Sequence, residues 1–165
     1  MTIKQRILAE VQKCREIAES KGYHLPLIPI DLSLTGAVAG KCVHMRLSGK
    51  PVKLKFNLAI AERHPEQFLK RTVPHEVAHA LQFMRNPNSK PHGHEWDHFC
   101  RVLTGSTMPR CHSYDVTGIK RTRKVKKYLF ACGCRQHTVS STIVNRILEG
   151  RTYTCKCCKG KIKAV

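Results

Sequence analysis

Residues His75-Glu76-Val77-Ala78-His79 set two imidazoles and a carboxylate at the spacing HExxH. On a helix, residues four apart share one face, so His75 and His79 can aim at the same ion. Glu76 stands beside them, placed to act on a water without ligating the metal itself. Two nitrogen ligands, a general base and an open coordination position are the requirements of a zinc peptidase. The neighbouring Val77, Ala78, Ala80 and Leu81 are apolar and helix-compatible, as a buried active-site helix demands. Pro74 is tolerated near a helix start, where its missing N–H costs little.

A catalytic zinc normally takes three protein ligands, and the segment Lys90-Pro91-His92-Gly93-His94-Glu95-Trp96-Asp97-His98 offers candidates. The stretch 86–91 is rich in turn formers, so the chain can reverse there. A second short helix, from about His92 to Leu103, would then return past the first. His92 begins it, and the following glycine lets the backbone approach a metal closely. His94 and His98 are i, i+4 partners and compete for the role, and Glu95 could supply a carboxylate instead.

The tail carries a second signature. Cys132-Gly133-Cys134-Arg135-Gln136-His137 and Cys155-Lys156-Cys157-Cys158 each follow an aromatic-containing, strand-like run and lie about twenty residues apart. Paired thiolates at that separation outline a zinc ribbon. The expected ligands of this structural zinc are Cys132, Cys134, Cys155 and Cys158. Because CxC is a tight chelate loop, His137 is an alternative to Cys134. Cys157 is left over. Cys14, Cys42, Cys100 and Cys111 are isolated and read as inert thiols.

Thr72-Val73-Pro74-His75-Glu76-Val77-Ala78-His79-Ala80-Leu81, followed by His92-Gly93-His94-Glu95-Trp96, resembles the SprT family of zinc metalloprotease-like proteins. Upstream, Gly36-Ala37-Val38-Ala39-Gly40 and Leu54-Lys55-Phe56-Asn57 are similar to that family's glycine-alanine strand and the strand after it. The cysteine-paired tail extends the resemblance over nearly the whole chain. It implies that His92, in an HGxxW element, is the third ligand of the catalytic zinc. Eukaryotic relatives such as the Spartan protease degrade proteins crosslinked to DNA, so the resemblance also implies protein substrates on DNA. In the expected mechanism zinc lowers the pKa of water from near 16 to about 7. Glu76 takes the proton and passes it to the leaving amine. A reading of another class is a non-catalytic, zinc-dependent nucleic-acid-binding adaptor.

Composition bears on the partners. The net charge of +19 is uneven: residues 101–165 hold 15 Lys and Arg against Asp115 and Glu149, a net of +13. Its densest run contains Lys120, Arg121, Arg123, Lys124, Lys126 and Lys127, the expected nucleic-acid-binding residues. Such a field attracts phosphate backbones, and with no aromatic residues interleaved it favours backbone contact over base stacking. No run approaches the ~20 apolar residues of a membrane span. Clustered cysteines without an apolar leader favour metal over disulfides, in a cytoplasmic, nucleoid-associated, monomeric protein.

Positioning these groups calls for an α+β arrangement. Ile3, Ile7, Leu8, Val11, Cys14, Ile17 and Ala18 trace one helical stripe ended by Gly22. Alternation at Ile30/Leu32/Leu34, Val43/Met45/Leu47 and Val52/Leu54/Phe56 predicts a small three-stranded sheet, with a hairpin turn at Ser48-Gly49-Lys50. A helix from about Pro65 leads to the zincin-like HExxH helix, which runs to Met84. The expected domains are a metalloprotease domain over 1–110, a basic linker over 111–127 and a zinc-ribbon β module over 128–165.

Overall fold

The computed structural model describes residues 1–119 and 126–165. Lys120, Arg121, Arg123 and Lys124 of the expected basic patch lie outside the described residues. The chain separates into two compact units, Met1–Thr122 and Arg123–Val165.

The first unit opens with helix α1, Ile3–Ser20. Thr2 and Gln5 cap it reciprocally, which satisfies two N–H groups that a helix start leaves free. Ile7, Cys14 and Ala18 form its buried stripe, and Gly22 ends it at φ 80°. Three strands follow: β1 (Ile30–Asp31), β2 (Gly40–His44) and β3 (Pro51–Phe56). Their order is β1-β3-β2, with β1 parallel and β2 antiparallel to β3.

Two strands differ from the sequence expectation for local reasons. The run expected over Ile30–Leu34 stops at Asp31, whose carboxylate accepts from both the backbone N–H and the hydroxyl of Ser33 and bends the chain. The strand expected at Val43–Leu47 instead spans Gly40–His44. Met45 already belongs to the hairpin, exchanging backbone bonds with Lys50 and Gly49. Gly49 is obligatory there: a Cβ would fall 1.7 Å from the Phe83 carbonyl oxygen.

A helix the periodicity did not show, α2 (Leu58–Arg63), comes directly after β3. Asn57 caps it through the Ile60 N–H while its amide donates to the carbonyls of Gly36 and Val38. The chain then runs through α3 (Pro65–Gln67) and a π-helical turn, Phe68–Thr72, into α4 (Val73–Arg85). Ten of the thirteen residues of α4 are buried, so it is the central element of the unit. Helix α5, His94–Thr104, packs on it and ends at Gly105 with φ 76°. It begins at His94 rather than His92, because His92 has φ 55° and cannot start a right-handed turn.

The expected linker from 111 is a correction. Tyr114 is buried, Val116 and Ile119 pack against the same core, and the Arg63 guanidinium donates to the Thr117 carbonyl at 2.7 Å. Apolar side chains in this stretch therefore extend the first unit well past residue 110.

The second unit holds strands β4 (Lys127–Ala131), β5 (Gln136–Ser140) and β6 (Lys163–Ala164), ordered β5-β4-β6 and paired antiparallel. The all-β expectation fails at helix α6, Ser141–Leu148. Ile143, Val144, Ile147 and Leu148 repeat at helical spacing, and this period outweighs the β-branched character of Ile143, Val144 and Ile147. Among the described residues no helix is long and apolar enough to cross a membrane.

Candidate metal centres and the cleft around them

Helix α4 presents His75 and His79 one turn apart on the same face. The third histidine arrives on a turn. Pro91 and His92 are its central residues, the Gly93 N–H donates to the Lys90 carbonyl at 2.9 Å, and His92 takes the positive φ usual at the third position of a type II turn. Gly93 is needed because a Cβ would meet that carbonyl oxygen at 2.8 Å. The turn brings His92 Nε2 to 3.1 Å from His75 Nε2 and 3.0 Å from His79 Nε2.

Hydrogen bonding cannot account for this cluster. One ring nitrogen offers a single in-plane site, so His92 Nε2 cannot bond to both neighbours. Three imidazole nitrogens turned to one point fit a divalent cation instead. Tetrahedral zinc with Zn–N of about 2.0–2.1 Å would set them roughly 3.3 Å apart. Burial, then the neighbouring imidazoles, lowers the pKa of His75 to about 3. Burial likewise lowers His79 to about 4, against a hydrogen bond that it donates to the Gln82 side-chain oxygen, which acts the other way. His92 is shifted down by burial and by the Arg110 cation. All three are thereby kept in the neutral form that binds metal.

The surroundings fix the rings. Gln82 is wholly buried; its Oε1 lies 3.1 Å from His79 Nδ1 and its Nε2 donates to the Lys90 carbonyl at 2.8 Å. Trp96 packs against His75 and His92 with ring centroids 4.8 Å away in each case. The other candidates from sequence lie elsewhere. His94 is exposed, His98 Nε2 sits 2.9 Å from the Tyr23 hydroxyl, and Glu95 accepts from the Asn86 side chain at 2.9 Å.

Glu76 is 6% exposed and lies on α4 next to the triad, with its carboxyl facing the Cys42 backbone N–H of β2. Burial pushes its pKa up to about 8. Both Glu76 and the triad line a cleft of about 470 Å³, walled on one side by Val38–His44 and on the other by Met108–Tyr114. The far wall includes Tyr114, whose hydroxyl is 2.9 Å from Thr72 Oγ1, and the exposed Arg110 and His112. The sequence gives no sign of Gln82, Thr72 or Arg110 as residues of this site. Nothing in their spacing relates them to HExxH; the tertiary fold does.

In the second unit the sulfurs of Cys132, Cys134, Cys155 and Cys158 all lie within 4.8 Å of one another. Cys132 and Cys134 are 3.4 Å apart and Cys134 and Cys155 3.7 Å, against roughly 3.8 Å for two thiolates on tetrahedral zinc. The donor set is consistent with zinc. Backbone N–H groups favour thiolate here: that of Cys134 at Cys132, and those of Cys158 and Cys157 at Cys155. His137 is adjacent, its Nε2 3.2 Å from Cys132 Sγ, so it supports a thiolate from outside the four-sulfur group. Cys157 is exposed and stands apart from that group. Lys126 and Lys127 are exposed at the start of β4.

Known proteins give an independent comparison. The profile of the SprT-like family matches residues 10–117. "Protein SprT" of Pseudomonas paraeruginosa is 35% identical over 113 residues, 66% of either chain. "Protein SprT" of Pseudomonas fluorescens Pf-5 is 31% identical over 162 residues, 94% of this chain and 92% of that one. The Pseudomonas putida F1 protein of the same name is 33% identical over 160 residues, with the same two shares. No solved structure gives a significant match. The matched span contains Gly40, Glu76 and the three convergent histidines, and relatives align along almost the full length: the chain belongs to the SprT-like family.

Proposed function

We propose that the protein is a zinc metallopeptidase that hydrolyses peptide bonds in proteins bound or crosslinked to DNA. The observation carrying this reading is the pairing of a buried carboxyl, Glu76, with three converging neutral imidazoles in an open cleft. A purely structural site has no use for such a carboxyl. His75, His79 and His92 would hold the zinc, which supplies Lewis acidity toward water and a carbonyl oxygen. Glu76 takes a proton from the attacking water and delivers it to the nitrogen of the leaving amine. Burial lifts Glu76 to about 8 against a hydrogen bond from the Cys42 N–H; a cation held by the histidines would act in the same sense as that bond and bring the pKa down toward neutral pH. Gln82 orients His79, and Trp96 restricts the motion of His75 and His92.

The DNA-bound substrate class is supported by charge. A net of +13 over residues 101–165 exceeds what solubility requires, and Lys126 and Lys127 present exposed ammonium groups. The test uses the zinc-loaded protein, casein and a DNA-bound protein substrate. Glu76→Gln should keep both zincs and lose cleavage of both. Lys126→Glu with Lys127→Glu should weaken DNA affinity and reduce its salt dependence, each lost phosphate contact removing about 0.9 from the log–log slope. Cleavage of the DNA-bound substrate should fall with it. If the wild-type protein gives no Glu76-dependent product, the chain is a zinc-dependent nucleic-acid adaptor.

A further inference from the structure

Glycine at position 40 is not explained by backbone conformation. Gly40 opens β2 opposite Phe56 and is absent from the residues with positive φ, so any side chain could adopt its backbone angles. Space explains it. A Cβ at Gly40 would lie 2.7 Å from Glu76 Cγ, 2.8 Å from Glu76 Oε1 and 2.9 Å from Thr72 Cγ2. The backbone cannot easily retreat. The Asn57 N–H donates to the adjacent Ala39 carbonyl at 2.9 Å, and the Asn57 amide grips the carbonyls of Gly36 and Val38 at 2.8 and 3.1 Å.

The opposite wall is equally fixed. Thr72 is buried and bound to the Tyr114 hydroxyl, and Glu76 is carried on the most buried helix of the unit. Two residues along the strand, the Cys42 N–H faces the same carboxyl. From this geometry we infer that Gly40 is a positioning residue: its missing side chain is the seat of the Glu76 carboxyl, held against the edge of β2 beside the histidine triad. The inference rests on the reading of Glu76 as the proton carrier. It also gives the glycine-alanine segment Gly36–Gly40 a purpose in the chemistry, beyond forming a strand.

Two readouts test it on the zinc-loaded full chain. Gly40→Ala should lower kcat about 10- to 100-fold, as displacements near 1 Å do at reacting centres, with KM and zinc content unchanged. It should also lower Tm by about 3–8 °C through overpacking. Two of the three close contacts belong to the Glu76 side chain. In a Glu76→Ala background, most of the Tm loss caused by Gly40→Ala should therefore disappear. Equal Tm losses in both backgrounds would overturn the inference, as would an unchanged kcat in an active enzyme. Should the wild-type protein cleave nothing, the peptidase reading falls by itself. The thermal cycle then decides the seat alone, coupling upholding it and additivity refuting it.

Discussion

The Gln82 side chain accepts a hydrogen bond from the Nδ1–H of His79, with Oε1 at 3.1 Å, and so leaves the His79 Nε2 lone pair bare toward His75 and His92. The same amide donates to the Lys90 carbonyl at 2.8 Å, which belongs to the turn carrying His92. One buried side chain thus orients one ligand and anchors the backbone of another.

Gln82→Leu, close in volume but unable to hydrogen-bond, should weaken zinc binding at the histidine site by about 10- to 100-fold, the usual effect of losing such a supporting group. Chelator competition monitored by released zinc measures this. An unchanged affinity would mean that helix packing alone orients His79.

Ligand identity is separable from turn geometry at position 92. Asparagine tolerates the positive φ that His92 adopts, so His92→Asn should preserve the turn while removing the nitrogen. Zinc per chain, measured by elemental analysis, should fall from two to one. His94→Ala should keep two. His98→Ala should also keep two, losing its contacts with Tyr23 and Phe99 and about 1 kcal/mol of stability.

Thiol labelling separates the nine cysteines into classes. Burial raises the pKa of Cys14, Cys42 and Cys100 to about 12, so these remain protonated and inert at pH 8. The zinc-loaded protein should react with iodoacetamide at the exposed Cys111 and Cys157. Chelation should add Cys132, Cys134, Cys155 and Cys158, a change that intact mass spectrometry resolves. Labelling of Cys14 or Cys100 before denaturation would contradict the packing of α1 and α5.

Asp31 gives a pH signature for the sheet. The Ser33 hydroxyl and N–H, with Lys55 at 3.0 Å, hold its carboxyl well below the usual range. A depressed folded-state pKa contributes stability above the unfolded value, near 4. That contribution is lost as pH falls through the folded value. Asp31→Asn should therefore lower Tm at pH 7, and its difference from wild type should shrink once the pH is below about 4. A difference constant from pH 7 to pH 3 would show that the charge of Asp31 is irrelevant.

The features legible in the sequence were those set by local rules. His75 and His79 could be placed together because a helix of period 3.6 puts them on one face, and α1 was visible in its apolar stripe. The third imidazole was harder, since three histidines in seven residues differ only in backbone conformation, and the positive φ of His92 is not a property of composition. Helix α2 was hidden because Asn57 looked like the end of a strand, whereas its side chain also caps the helix that begins at Leu58. Helix α6 was hidden by Ile143 and Val144, residues that favour strands in isolation. Gln82, Thr72 and Tyr114 meet the site only through contacts made across the fold, which no spacing rule reaches.

The π-helical turn Phe68–Thr72 carries a consequence for length variation. Such a turn stores one surplus residue in a widened loop of backbone and lets the helix beyond it resume its course. An insertion or deletion within α4 itself would swing His75, Glu76 and His79 about 100° around the axis relative to the core. At Phe68–Thr72 the loss of one residue converts the wide turn to an ordinary α-turn and leaves that azimuth intact. Relatives one residue shorter between α2 and the HExxH motif should therefore have their gap at these five positions.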